Sequence, residues 1–118
     1  MINNSMPSYS EIILTSQTHP GDSTSETVTG EPYKGDGYYG RADGFHTVQY
    51  NVTGFSGTIK MQGTLATTPV ESDYFDITGT TETGTTGSYF KNFTGNYVWV
   101  RASVTYTDGT IQSILLNH

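Results

Sequence analysis

The sequence predicts an all-β protein, an antiparallel β-sandwich, from three observations. Of the 118 residues, 14 are Gly, 9 are Tyr and only 14% are charged, and Thr is frequent. That composition is typical of strands joined by turns. Apolar and polar residues alternate with period two along several segments after Phe45, as they do in half-buried strands. No segment of useful length has the apolar period of a helix.

The longest alternating segment, 96–106, is predicted to be the central strand. Its inward face is small, β-branched or aromatic: Val98, Val100, Ala102, Val104 and Tyr106. Its outward face carries the only Trp of the chain: Tyr97, Trp99, Arg101, Ser103 and Thr105. Because successive side chains of a strand point to opposite faces, this pattern also predicts the register of the strand.

Residues 1–30 are polar and rich in Asn, Ser and Thr, apart from one apolar stretch. We interpret residues 1–30 as an extended N-terminal arm with a short strand near 11–15, and residues 31–118 as the sandwich domain. The apolar residues with which the arm is expected to dock are Ile12, Ile13 and Leu14. The alternative is that this strand is the first strand of the sandwich, followed by a long loop.

The remaining elements follow in order. Residues 31–44 contain closely spaced glycines and are predicted to be loop, because Gly permits positive φ and close backbone approach. Two β-hairpins are predicted, one with its turn at 53–57 and one with its turn at the Asp-Gly pair 108–109. Between them we expect short strands at 74–77 and 89–93, separated by a Thr-rich segment that permits an edge strand.

Composition excludes several classes of function. The formal charge of −6 and the scattered Lys and Arg disfavour nucleic-acid binding and an anionic membrane surface. The absence of Cys removes disulfides and thiolate chemistry. No N-terminal apolar run has the length of a signal peptide, so we expect a protein made in the cytoplasm.

Candidate catalytic groups are few and lack a known spacing. A carboxylate pair from Glu71, Asp73 and Asp76 is the pattern of a glycosidase or a calcium site, but Asp is also common in solvated turns. A second oxygen cluster is Asp36 with Asp43. The histidines, His19, His46 and His118, form no recognisable motif. We therefore predict no catalytic residue, no metal and no cofactor.

The aromatic residues suggest a surface site with two interpretations. Tyr38 and Tyr39 in the Gly-rich loop could join the outward face of the central strand, with Tyr97, Trp99 and Arg101, as a platform for stacking sugar rings. Tyr, Trp and Arg are also the residues enriched where proteins contact one another. A third reading is that Trp99 simply covers a second core layer.

Two parts of the sequence resemble a pattern that recurs in structural proteins of tailed bacteriophages. Residues 55–65 (FSGTIKMQGTL), followed by 74–77 (YFDI), are similar to its hairpin and the aromatic strand after it. Residues 95–104 (GNYVWVRASV) are similar to its long downstream strand. The resemblance covers about residues 45–118 and leaves residues 1–44 uncovered.

The resemblance implies a jelly-roll β-sandwich of the galactose-binding or carbohydrate-binding-module type. It also implies a non-enzymatic virion protein, either a capsid decoration protein or a neck, baseplate or fibre component. The implied partners are the major capsid protein or tail and baseplate proteins, and further copies in a homo-oligomer such as a trimer. The alternative function is a carbohydrate-binding module for host attachment, with a glycan as ligand.

Overall fold

The computed structural model of the chain describes residues 11–38, 40 and 44–117. These residues form β-strands and one short 3₁₀ turn, and no helix among them is long and apolar enough to cross a membrane. The strands are β1 (Glu11–Leu14), β2 (Gln17–Thr18), β3 (Glu26–Thr29), β4 (Tyr33–Lys34), β5 (Phe45–Thr64), β6 (Phe75–Asp76), β7 (Gly87–Thr94) and β8 (Trp99–Asn117). All pairs are antiparallel within one sheet, so the predicted all-β class is confirmed.

Two long strands, β5 and β8, form the centre of the sheet. They pair from Thr47↔Asn117 at one end to Thr64↔Trp99 at the other. A straight strand of the 20 residues of β5 would be roughly 66 Å long. The longest extent of the molecule is only 46 Å, so both strands must bend.

The bend lies where the pairing register shifts, between Asn51 and Gly57. Gly54 and Gly109, on the two facing strands, both have positive φ, +61° and +101°. A Cβ atom on Gly109 would collide with the backbone of Gly54, so the two strands approach closely at this point. Bulges and glycines of this kind sharpen strand curvature.

The two predicted hairpins were therefore wrong. Residues 53–57 and 108–109 are bends inside continuous strands, and each strand half pairs with a half of the other long strand instead of folding back on itself. A glycine suits a hairpin turn and a bend within a strand equally well. The sequence pattern alone therefore does not distinguish a predicted hairpin from the observed bend.

The bend folds the sheet into two layers. The first layer contains β1, the half of β5 before the bend, β7 and the end of β8. The second layer contains β3, β4, β6, the rest of β5 and the start of β8. The same face of the sheet is buried in both halves, and the core that results is Ile13, Leu14, Val48, Tyr50, Val52, Phe55, Ile59, Met61, Ile77, Phe93, Val100, Ala102, Val104, Tyr106, Ile111, Ile114 and Leu116.

A buried hydrogen-bond chain links the two layers. The hydroxyl of Tyr50, in the first layer, donates to the carbonyl oxygen of Thr80 at 2.8 Å. The Thr80 hydroxyl accepts from the amide of Met61 at 3.0 Å and donates to the carbonyl of Ile77 at 2.7 Å. Burial raises the pKa of Tyr50, and the nearby Glu82 raises it further, so the phenol stays protonated and keeps its role as a donor.

The predicted strand near 11–15 is β1, and it pairs with β8 of its own chain, Glu11↔Leu116 and Ile12↔Leu115. Ile13 and Leu14 are 2% and 7% exposed and belong to the core, whereas Ile12 is 53% exposed. Two of the three residues predicted to dock are thus buried in the sandwich of their own chain, and the docking role itself stays a prediction. Residues 1–10 of the predicted arm lie outside the described part of the chain.

Neighbouring side chains of β1 offer a matched test of this placement. Ile13→Ala should lower the free energy of unfolding by about 2–5 kcal/mol, because it leaves a cavity in the core. Ile12→Ala should cost no more than about 1 kcal/mol, because its side chain is half exposed. Urea denaturation of both variants measures the difference. Equal, small effects would mean that β1 is not part of the folded core.

Candidate functional site

The predicted aromatic platform is not assembled as one surface. Trp99 and Arg101 do lie on the outer face of the second layer, as the alternation predicted. Tyr97 precedes β8, which begins at Trp99, and its ring packs inward. Tyr38 contacts Trp99, and Tyr39 lies outside the described residues.

Tyr97 serves the core rather than a surface. Its ring lies 5.8 Å from that of Phe75 and 6.3 Å from those of His46 and Phe93. A Cβ atom at Gly63 would lie 2.8 Å from the Tyr97 ring, so the glycine makes room for it. The predicted strand 96–106 begins three residues too early, because the carbonyls of Tyr97 and Val98 accept from the Gly-rich loop instead of from a neighbouring strand.

The Gly-rich loop brings Tyr38 to Trp99. The amide of Gly37 donates to the carbonyl of Tyr97 at 2.9 Å, and a side chain on Gly37 would collide with the backbone of Asn96. The rings of Tyr38 and Trp99 then meet edge to face, with centroids 5.2 Å apart. The Nζ atom of Lys34 lies 4.5 Å from the Tyr38 ring centre, a cation–π contact.

We call Tyr33, Lys34, Tyr38 and Trp99 the aromatic corner. Beside it lies a groove of about 270 Å³, lined by Glu11, Pro32, Tyr33, Lys34 and Trp99. Tyr38 is 43% exposed and Trp99 is partly exposed. Aromatic edges, one cation and one carboxylate therefore surround this groove, which makes it the part of the predicted platform that the fold retains.

Arg101 is enclosed and does not contribute to an open platform. It is only 8% exposed. Its Nε atom donates to the side-chain oxygen of Gln62 at 2.9 Å, its Nη2 atom donates to the carboxylate of Glu71, and its guanidinium carbon lies 3.9 Å from the ring centre of Tyr74. The hydrogen bond and the charge of Arg101 lower the pKa of Glu71, while burial raises the pKa of Tyr74.

Residues 65–74, which we call the strap, run across Trp99 and Arg101. The indole Nε1 of Trp99 donates to the carbonyl of Thr67 at 3.0 Å. The strap ends in a 3₁₀ turn, Glu71–Asp73, in which the Asp73 carboxylate accepts from the amide of Val70 at 2.8 Å. The strap therefore rests on the outer face of the second layer, where it contacts Trp99 and Arg101.

The carboxylates considered as catalytic groups have structural partners. The carboxylate of Asp76 accepts hydrogen bonds from Gln62 and from Lys60, both at 2.9 Å. Both bonds lower the pKa of Asp76, and the bond from Gln62 has the larger effect. Asp73 shapes the strap and Glu71 binds Arg101. Asp36 is 2% exposed, and Asp43 lies outside the described residues.

The two described histidines are buried. His19 donates from Nε2 to the carbonyl of Thr24 at 2.7 Å and accepts the amide of Gly21 at Nδ1 at 2.9 Å. His46 stacks on Phe93, with centroids 4.8 Å apart. His118 falls outside the described part of the chain. Within the described residues, no group of three or more His, Asp or Glu side chains is placed to hold a metal ion.

The outer face of the first layer is a surface that the sequence reasoning missed. We call it the neutral face; its outward side chains are Ile12, Phe45, Thr47, Gln49, Asn51, Ser88, Phe90, Asn92, Thr94, Ser113, Leu115 and Asn117. None of these residues is charged. Phe45 and Phe90 are each 68% exposed. The sequence does contain two Phe residues at outward positions of alternating segments. Placing them on one face, however, requires knowing how distant strands pair.

Hydrogen bonds order the polar part of the neutral face. Asn51 is the centre: its oxygen accepts from Gln49 at 2.8 Å and from Ser88 at 2.7 Å, and its amide nitrogen donates to Ser113 at 2.9 Å. Apolar residues flank this network in the row Ile12–Leu115–Gln49–Phe90, which crosses four strands. The face is therefore a pre-ordered surface of amides and hydroxyls between exposed apolar side chains.

No protein-family model matches the chain, and no curated protein matches it. Among solved structures, it is similar to the CBM22-1–GH10 modules of endo-1,4-β-D-xylanase 10B from Clostridium thermocellum, a structure complexed with xylohexaose. The identity is 11%, the TM-score is 0.43, and the match covers 92% of this chain but 27% of that chain. A likeness of this size carries no argument about function.

The contact between Glu71 and Arg101 predicts how the strap responds to acid. The pKa of Glu71 lies below its usual 4.5, so the contact stabilises the strap above that pH and is lost as pH falls through the lowered value. As pH falls below the usual 4.5 and through the lowered pKa of Glu71, the emission of the single Trp should therefore shift as the strap loosens over Trp99.

Two variants test this reading of the acid response. In Glu71→Gln the shift should already be present at neutral pH and should change little on acidification. Glu31→Gln, at an exposed residue away from the strap, is the control and should behave as the wild type. An identical acid shift in all three proteins would mean that Glu71 does not hold the strap.

Proposed function

We propose that this chain is a non-enzymatic structural protein of a bacteriophage particle, and that it holds neighbouring virion proteins through the surface of its sandwich. The observation that carries the proposal is the neutral face. Its exposed aromatic and aliphatic residues lack neighbouring charges, which is the composition of the centre of a protein interface. Large exposed apolar side chains grouped on one face of a monomer mark a contact site.

The chemistry of the ionisable groups supports the non-enzymatic part of the proposal. Each of three ionisable groups has a partner that fixes local structure. Asp76 pairs with Lys60 on the surface, Glu71 holds the strap on Arg101, and His19 bonds Thr24 within a loop. Catalytic acids and bases instead lie in clefts with their pKa values shifted toward the reaction. The carboxyl pKa values of Glu71 and Asp76 are lowered, which keeps them ionised and unsuited to general acid catalysis.

The assignment to a phage particle is supported by the sequence resemblance of residues 45–118. A particle also suits a surface of modest area, because many copies held side by side turn weak contacts into stable attachment. The partner by this proposal is the major capsid protein or a tail or baseplate protein, and the location is the virion.

The proposal predicts that the chain is found in purified particles of its phage. Mass spectrometry of separated heads and tails measures this directly. Enrichment with heads makes it a capsid decoration protein, and enrichment with tails makes it a neck, baseplate or fibre component. Absence from both fractions, with the major capsid protein detected as a positive control, contradicts the proposal.

A second candidate function, carbohydrate binding, is favoured by the aromatic corner. Its groove of about 270 Å³ is bordered by Trp99 and Tyr33, with Tyr38 beside Trp99, and aromatic faces suit the C–H bonds of sugar rings. The Lys34 ammonium and the Glu11 carboxylate lie at the same groove and offer polar contacts to hydroxyl groups. The indole nitrogen of Trp99 is bonded to the strap and Tyr38 contacts the Trp99 ring, so a sugar would meet this ring beside Tyr38.

This second function predicts that simple mono- and oligosaccharides shift NMR signals of the aromatic corner in a saturable way. Tyr38→Ala should weaken such binding at least tenfold, which is about 1.4 kcal/mol. Phe90→Ala, on the opposite layer, is the matched control and should bind as the wild type does. Signals that stay unchanged at high sugar concentration rule out this function.

A further inference from the structure

We propose that the neutral face packs against the neutral face of a second copy of this chain, in a symmetric dimer. The inference rests on the proposed function and assigns the neutral face to one virion partner, a second copy of this chain, so that the major capsid, tail or baseplate protein would be held by other surfaces of the dimer. Support for this dimer comes from the geometry and the charge of the first layer. The aromatic corner and the strap lie outside the dimer contact.

Charge is the first argument for a second copy. Each chain carries a formal charge of −6, so two copies repel one another wherever their charged surfaces meet. The outward side chains of the neutral face are all uncharged, although the chain carries acidic residues on other surfaces. A strongly basic partner would instead bind more tightly to an acidic surface than to a neutral one. On the neutral face, a second copy of the same net charge therefore meets no side chain of like charge.

Hydrogen bonding is the second argument. A symmetric dimer presents each group to a surface identical to its own, so the surface must be self-complementary. Amides and hydroxyls satisfy this condition because each both donates and accepts, whereas an ammonium or a carboxylate does not. The polar residues of the neutral face are all amides or hydroxyls, namely Thr47, Gln49, Asn51, Ser88, Asn92, Thr94, Ser113 and Asn117.

Shape and area are the third argument. Strands about 4.8 Å apart with a rise of about 3.3 Å per residue give this four-strand face, up to the 8 residues of β7 in length, roughly 450 Å² in projection. Two copies bury about twice that area, plus the relief of the side chains, which reaches the minimum of ~1,000 Å² that a biological interface must clear. Two sheets pack face to face in this way in β-sandwiches.

The apolar row explains what would hold the dimer together. Phe90 lies at one edge of the face and Ile12 at the other, with Leu115 and Gln49 between them. A two-fold axis in the plane between the sheets places Phe90 either on Ile12 and Leu115 of the second copy or on the second Phe90. In both arrangements its ring, 68% exposed in one copy, becomes buried.

Sedimentation equilibrium over a concentration series, at several salt concentrations, tests the proposal. The wild type should show a monomer–dimer equilibrium whose association strengthens or stays constant from about 0.05 to about 0.5 M NaCl, because salt screens the repulsion of the two acidic copies and breaks no ion pair. Phe90→Glu should weaken dimerisation at least tenfold. Leu65→Glu is the matched control: Leu65 is 66% exposed on the strap, and its substitution should leave dimerisation unchanged.

A second substitution protects the test against a folding defect. Phe45→Glu places the charge elsewhere on the neutral face and should have the same effect as Phe90→Glu, with unfolding temperatures recorded for all variants. A wild type that stays monomeric near millimolar concentration overturns the inference, and so does a dimer that is lost in Leu65→Glu but retained in both Phe variants. A sugar or another virion protein that binds a monomer through Phe90 also overturns it.

The two proposals fail separately. A monomer in solution that is nevertheless present in purified particles refutes the dimer and leaves the structural role intact. A dimer in solution whose chain is absent from particles refutes the structural role and leaves the dimer intact.

Discussion

The structure depends on the bend that β5 and β8 share. The two longest strands pair with each other over almost their whole length, and each turns at the same level, at Gly54 and Gly109. A straight pair of this length would expose one apolar face along its whole length. Because both strands bend together, that face closes on itself and becomes the core of a sandwich, with Phe55 and Tyr106 stacked just beyond the bend. Every other strand is added to the edges of this pair.

The same bend separates the surfaces of the molecule. On the outer face of the second layer, the strap crosses Trp99 and Arg101, so the indole N–H and the guanidinium are used within the chain. Among residues 11–38, 40 and 44–117, none lies over the outer face of the first layer in this way, and Phe45 and Phe90 are each 68% exposed there. The outer surfaces of the two layers therefore differ: the strap crosses that of the second layer, and that of the first layer is the neutral face, on which the proposed protein contacts lie.

Local patterns predicted the class of fold and most strand positions, but not the pairing. The alternation at Val100–Tyr106 correctly gave the inward face of β8, and the apolar stretch at 11–15 is β1. The hairpins failed because a glycine that allows a tight turn also allows a bend, and only long-range packing decides between them. The neutral face was missed for the same reason: it joins residues as distant as Ile12 and Leu115, which are neighbours only after β8 has paired.

The pairing of β1 and β5 with β8 has a consequence for how the chain folds. Glu11 pairs with Leu116, and the half of β5 before the bend pairs with residues 111–117, so contacts between distant parts of the sequence dominate. Folding slows as the average sequence separation of contacts rises, to the millisecond-to-second range for proteins of this kind. Neither layer has its central partner until β8 has been synthesised. Strands β6 and β7 can pair with β5 before that point, but the two layers can close into a sandwich only when β8 is present.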